Sequence, residues 1–353
     1  MVTTLLVFDW IFFIEKLILI VAVVSVSLVI AMYETWLERK VAAYLQDRRG
    51  PNRAGPFGLL QPLADGLKLF MKEEIIPNTS NKFLFILGPC LAMVTAMMTS
   101  SVVPWGGTVN IFGRPVSLQI ADINIGILFV FGVVSMGVYG IMIGGWASNN
   151  KFSLLAALRG ASQVISYELP MGMSLIALLM VTGSLKMSAI VGQQADSWYN
   201  VAYQPLGFLI FFICALAECN RTPFDLPEAE NELNFGYHQE YSSMKLGFYL
   251  FAEYINMFIS SVIMASLFWG GYDIPFINDA QLLQTVGANV MGGLQALSLL
   301  VKAGIFIFVF MWIRWTIPRF RYDQLMDLGW KKLIPLSLIN MIVTAAVLLW
   351  LKK

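Results

Sequence analysis

Apolar residues along this chain run on for some twenty positions at a time, and short charged segments interrupt them. A helix needs about 20 consecutive apolar residues to cross roughly 30 Å of hydrocarbon. Runs of this kind fall near 11–33, 83–103, 123–146, 161–182, 205–219, 246–269, 291–315 and 333–351. The fifth is short, ended by Asn220 and Pro223. An open strand edge in lipid would leave backbone groups unpaired, so helix is the conformation expected of each. The pattern therefore predicts an all-α fold, a polytopic membrane bundle of about eight transmembrane helices forming one integral-membrane domain over 1–353. The first run does not read as a cleaved signal: Asp9 and Glu15 precede or open it where a basic flank would stand, and no A-x-A site follows.

One stretch has a different period. From Phe57 to Lys72 the polar residues Gln61, Asp65, Lys68 and Lys72 recur every three or four positions, with Leu, Phe and Met between them. This is an amphipathic helix, and Pro62 suits its first turn. Such a helix lies along the membrane surface. It serves either as a lateral surface element or as the portal for a lipid-like molecule.

Composition agrees with the pattern. The chain is 58% hydrophobic and 13% charged, with a mean hydropathy of +0.71, against about 45–50% and about 25% in soluble domains. A net charge of +1 gives no reason to expect nucleic acid as a partner. Basic residues are distributed unevenly. Segments 34–82, 147–160, 220–245 and 314–332 hold 17 of the 23 Lys and Arg, while Lys302 lies inside a span. The positive-inside rule makes those segments cytoplasmic and puts both termini outside. On this reading 34–82 is a cytoplasmic segment carrying the amphipathic helix, and 220–245 is an acidic cytoplasmic loop. Thirteen of the 22 acids share that face, which looks built to engage a partner.

Cysteine and histidine exclude several chemistries. Cys90, Cys214 and Cys219 are the only thiols and no CxxC occurs, so an iron–sulfur cluster or structural zinc held by this chain alone is not expected. The single His238 excludes bis-histidine haem ligation, and no phosphate-cradling glycine motif is present. Redox cofactors, if the protein serves redox chemistry, belong to another subunit.

Three carboxylates, Glu168, Glu218 and Glu253, fall within spans. Each costs about 2.5–3.5 kcal/mol to insert, so three call for a reason. Glu168 and Glu253 are expected about seven residues, or roughly 10 Å, past a cytoplasmic helix start, with Glu218 nearer the end of its helix. Carboxyls brought together from three helices are the groups a proton relay requires. Structural pairing with Tyr167, Tyr254 or Lys302 is the alternative. The loop after the fifth span, with Pro223 and Pro227 barring regular helix in its first half, adds Asp225, Glu228, Glu230 and Glu232. Arg39, Lys40, Arg48, Arg49 and Arg53, then Arg314, Arg319 and Arg321, supply basic counterparts.

Taken together these strings are specific. Glu38-Arg-Lys, Gln46-Asp-Arg-Arg-Gly-Pro-Asn52 and Gln61-Pro-Leu-Ala-Asp-Gly-Leu-Lys-Leu-Phe-Met-Lys-Glu73 resemble the NuoH family, the membrane subunit beside the quinone site of respiratory complex I. Gly145-Trp-Ala-Ser-Asn-Asn150, Gln163 to Glu168, Ala217-Glu-Cys-Asn-Arg-Thr-Pro-Phe-Asp-Leu-Pro-Glu228, Glu240-Tyr-Ser242 and Trp312-Ile-Arg through Pro318-Arg-Phe-Arg-Tyr-Asp-Gln324 continue the match in order. The resemblance implies a subunit of proton-translocating NADH:quinone oxidoreductase in a bacterial inner membrane. It implies a tunnel for quinone, ubiquinone or menaquinone, with FMN and iron–sulfur clusters in partner subunits. Those partners would be the quinone-site subunits of the hydrophilic arm and the adjacent small membrane subunits. On matching positions, Arg48, Asp65, Lys68, Arg314 and Arg321 look like tunnel or arm-interface residues. Asp225, Glu228, Glu230 and Glu232 look like the funnel from the quinone chamber, and Glu168, Glu218 and Glu253 like the start of the proton-coupling axis. The chain departs from the usual pattern at Cys219, Asn234-Phe235 and His238-Gln239, and His238 reads as an incidental loop residue. A related membrane-bound hydrogenase subunit, a stand-alone cation or proton transporter and a passive membrane anchor are the competing readings.

Overall fold

The computed structural model describes residues 10–111, 114–195, 199–275 and 287–351. Among these, seven helices are long and apolar enough to cross a membrane. They are α1 (Trp10–Leu45), α3 (Lys82–Thr99), α4 (Gly126–Ala147), α5 (Lys151–Thr182), α10 (Ser243–Phe268), α11 (Ala288–Thr316) and α13 (Ile334–Leu351). The amphipathic α2 (Gln61–Met71) has Pro62 in its first turn and lies against α10, where the Ser243 hydroxyl donates to the Leu69 carbonyl at 3.1 Å. Its apolar side chains Leu63, Leu67, Phe70 and Met71 stay exposed, the condition of a helix lying on lipid.

Two expectations need correction. First, α1 does not end near residue 33 but continues to Leu45, so Glu34 and Glu38 are helical and buried rather than loop residues. Second, α5 starts at Lys151 instead of 161, with Asn150 capping it by accepting from the Phe152 N–H at 3.0 Å. Glu168 is therefore mid-helix, not one or two turns from its start. Charged and small residues at a span's end hide the true helix boundary from hydropathy. A short antiparallel pair, β1 (Thr108–Ile111) and β2 (Arg114–Ser117), joins α3 to α4 and had no clear signature in the sequence.

The bundle closes where helices approach through small residues. A Cβ at Gly144 on α4 would lie 1.9 Å from the Tyr249 hydroxyl, and one at Gly88 on α3 would lie 2.5 Å from it. Close backbones let Tyr249 of α10 insert and donate to the Gly140 carbonyl at 3.0 Å. Helix α5 ends at Gly183 with φ +67°, a left-handed residue that a side chain would strain. The short helices α6 (Met187–Ala195) and α7 (Asn200–Tyr203) lead to α8.

Helix α8 (Pro205–Glu218) is the fifth run, and its 14 residues span only about 21 Å. The chain beyond it is buried rather than solvated: Cys219, Asn220, Arg221, Phe224, Asp225 and Leu226 are all inside. Irregular backbone is tolerated at such depth only when protein surrounds it. Gln163 of α5 supplies that cover, its amide nitrogen donating to the carbonyls of Ala217 and Phe224 at 2.7 Å each. The loop contains the one-turn helix α9 (Glu230–Leu233) and ends at α10. Helix α12 (Tyr322–Asp327) passes into α13 through a π-helical stretch, Leu328–Leu333.

Candidate functional site

The loop after α8 carries Arg221 into the bundle. Its guanidinium lies 4.2 Å from the Tyr254 ring centroid and its Nη2 is 3.6 Å from Glu253 Oε2. Both side chains of that ion pair are deeply buried, 5% and 6% exposed. A cation so deep needs this company, because desolvating an unpaired charge is prohibitive. The ring under the arginine ties α10 to two further helices. Tyr254 donates to Glu38 Oε2 at 2.8 Å, and Glu38 Oε1 meets Arg314 Nη1 of α11 at 2.5 Å. Tyr237 donates to Glu253 Oε1 at 2.9 Å. Glu228 lies within electrostatic reach of both Arg221 and Glu253. A line of polar groups thus runs from Arg314 and Glu38 through Tyr254 and Arg221 to Glu253 and Glu228.

A second line continues inward. A cavity of about 40 Å³ is lined by Glu218, Glu253, Asn256, Tyr237 and Tyr249, and a neighbouring one of about 30 Å³ by Glu218 and Asn256 again. Each has room for at least one water beside polar partners. Glu168 of α5 lies within electrostatic reach of Glu218 and beside Ser135, but does not line either cavity. Its Oε1 is buried with no hydrogen-bond partner among the described residues. Pro170, two residues on, removes the N–H that would close the helix onto the Ser166 carbonyl.

Electrostatics in the loop are uneven. Burial pushes the Asp225 carboxyl up to about 7; Glu228 adds to this, and Arg319, Arg314 and Arg221 oppose it. Asp225 Oδ2 is 3.0 Å from Arg319 Nη2, while its Oδ1 is buried without a hydrogen-bond partner among the described residues. Burial also pushes Glu228 up. There Arg221, with His238 and Arg314, outweighs it and holds the carboxyl below its usual range. For His238 burial dominates and lowers its proton affinity, with Glu228 opposing and Arg221 reinforcing.

The expected residues do not all converge. Glu218, Glu253, Glu228, Arg314 and, at the margin, Glu168 and Asp225 belong to the two lines. Asp65 stays on α2, paired with Arg39 at 2.8 Å and with Lys68 at 3.7 Å. Arg321 is largely exposed and pairs locally with Asp323. Glu232 turns outward to Arg159 of α5 at 2.7 Å, so the loop acids do not form one cluster. The Glu230 side chain lies outside the described residues. Arg48 hydrogen-bonds Gln46 just beyond the end of α1, away from both lines.

Sequence reasoning missed Glu34, Glu38, Arg221 and Tyr237 as site residues, while Arg319, named as a basic counterpart of the acidic loop, pairs with Asp225. Both carboxyl oxygens of Glu34 are buried without a hydrogen-bond partner among the described residues, near Glu38 and Arg221. The i, i+4 spacing of Glu34 and Glu38 was the available signal. His238 is not incidental to packing: it is 1% exposed, with Phe235 and Tyr237 edge-on against its ring.

Helices of this length around an interior line of carboxylates and guanidinium groups define a polytopic helical membrane protein with a built polar axis. Comparison with known proteins narrows this class. A family profile described as NADH dehydrogenase matches residues 17–345. An H-type subunit of NADH-quinone oxidoreductase from Cytophaga hutchinsonii is 63% identical over 338 residues, covering 96% of this chain and 98% of its own. The corresponding protein of Flavobacterium johnsoniae is 62% identical over 338 residues, 96% of each chain. One from Geobacter sulfurreducens is 47% identical over 325 residues, 92% of this chain and 94% of its own. The chain belongs to the NuoH family, the H-type membrane subunits of NADH-quinone oxidoreductase, in agreement with the resemblance drawn from its motifs.

Proposed function

We propose that this subunit couples quinone reduction on a neighbouring subunit to proton translocation. Quinone reaches the site past the amphipathic α2, with Asp65, Lys68, Arg314 and Arg321 at the tunnel or arm interface. The redox centres, FMN and iron–sulfur clusters, sit in partner subunits of the hydrophilic arm. Smaller membrane subunits continue the axis. The basic segments face the cytoplasm of a bacterium, with the termini on the periplasmic side.

The observation that carries this reading is the continuity of the polar groups. Arg314 and Glu38, at one end, connect through Tyr254 and Arg221 to Glu253, and a cavity joins Glu253 to Glu218. Reducing a quinone by two electrons draws two protons and changes the local field. Glu228 and Glu253 lie within electrostatic reach of each other, so a charge change nearby shifts the proton equilibria of both. Asp225, Glu218 and Glu168 respond through the same field, Glu232 guards the loop's outer side, and Glu230 belongs to the same coupling set. This is a coupling free energy between two sites. Nothing in it requires a redox centre on this chain.

Replacing Glu218 by Gln tests the reading. NADH oxidation by an artificial acceptor is expected to persist, while NADH:quinone reductase and proton pumping by the intact complex fall together, by on the order of tenfold, equal to about 1.4 kcal/mol. Unchanged quinone turnover and pumping would sink it. A hydrogenase-type subunit predicts no quinone dependence at all, and a stand-alone transporter predicts cation flux by the purified chain.

A further inference from the structure

Beside the polar line, on another face of α1, lies a groove of about 830 Å³. The last turns of α1, the chain that follows it and the Trp312 end of α11 enclose it. Its walls are apolar, with Leu37, Val41 and Leu45 on one side and Phe308 and Trp312 on the other. Lys40, Arg48 and Arg49 stand at its rim, and no acidic side chain among the described residues lines it. Asp47 is next in sequence but outside the lining. The Lys40 ammonium is held by Asn52 Oδ1 at 2.7 Å, and the Arg48 Nε by Gln46 Oε1 at 2.7 Å. Both partners are neutral, so their positive charges are positioned yet not cancelled.

We propose that this groove binds an anionic phospholipid of the membrane. The headgroup phosphate would lie against Lys40, Arg48 and Arg49, and the acyl chains along the Leu37–Val41 and Phe308–Trp312 walls. Three cations above an apolar trough match an amphiphile with negative charge at one end only. A neighbouring transmembrane helix would fill the trough but leave the cations unanswered. Trp36, Tyr44 and Trp312 border the same rim, and such rings settle at headgroup depth. Basic pockets between membrane helices recognise acidic lipid headgroups in this way, and the volume falls in the range of ordinary ligand sites, about 300–1,000 Å³. The site is separate from the carboxylate line.

The test uses the intact complex in phosphatidylcholine vesicles containing a photoreactive phosphatidylglycerol. Label is expected on peptides covering residues 36–52 and 308–312, displaced by unlabelled phosphatidylglycerol but not by added phosphatidylcholine. In the double variant Arg48→Gln, Arg49→Gln, labelling is expected to fall on the order of tenfold. Equal labelling by a photoreactive phosphatidylcholine would overturn the proposal. So would undiminished labelling in the double variant, or cross-links to a partner subunit in place of lipid. Subunit composition on a native gel checks assembly; should the double variant not assemble, the headgroup competition on the unmodified complex decides alone.

Discussion

Arg319→Gln isolates one charge that opposes the burial of Asp225. The two groups are 3.0 Å apart, with the Arg319 side chain 40% exposed and the Asp225 side chain 2% exposed. In a medium of effective dielectric near 20 the bare attraction at that distance is about 5 kcal/mol. Water screens a guanidinium this exposed, which reduces the net effect to roughly 1–2 kcal/mol. That corresponds to about one pH unit. Asp225 titrates near 7 with Arg319 present, so the variant should titrate at roughly 8. The assay is NADH:quinone reductase activity of the intact complex from about pH 5.5 to about pH 9, divided by NADH:ferricyanide activity at each pH. In the unmodified complex an inflection is expected near 7. It should move up by about one unit in Arg319→Gln, stay near its original place in Arg319→Lys and disappear in Asp225→Asn. An inflection that survives Asp225→Asn, or that ignores Arg319→Gln, would refute the reasoning. The same shift has a stability consequence. A raised carboxyl contributes stability that is fully present below its ordinary 3.8 and is lost as pH rises through about 7. Asp225→Asn should therefore flatten the fall in thermal stability of the solubilised complex between about pH 4 and about pH 7.

Two structural predictions come from close contacts. Gly144→Ala would drive a Cβ to 1.9 Å from the Tyr249 hydroxyl, so the α3–α4–α10 contact should lose about 1–3 kcal/mol, read as lowered melting temperature of the complex. Adding Tyr249→Phe should restore part of it, since the clashing oxygen is gone. Lys302 of α11 donates to the carbonyls of Trp269, Gly271 and Asp273 at 2.7, 2.9 and 2.7 Å. Lys302→Met would leave those carbonyls without their ammonium and should cost about 3 kcal/mol or more, seen as reduced subunit content in membranes; normal content would show that the turn re-forms around another donor.

Glu38 shows how far sequence reading reaches. Its identity and its helical spacing from Glu34 are plain, yet it reads as a flank residue because hydropathy falls off there. Only the fold reveals that Tyr254, 216 positions away, and Arg314 close over it. Glu232 shows the converse: the acidic string suggested one cluster, but Arg159 from α5 draws that carboxylate outward. His238 follows the same logic, since two aromatic rings from its own loop help bury a side chain that looks solvated in the string.

Local pattern alone determined the long apolar helices, the amphipathic α2 with its proline start, and the presence of carboxylates where lipid or protein must surround them. Those features depend on residues within a turn or two of each other, and hydrophobic period records them directly. Which acid meets which base, where cavities open beside Glu218, and which face of α1 carries the basic groove depend on helices hundreds of residues apart. Electrostatic pairing at contact distance is a property of their mutual packing, and no period along the chain encodes it.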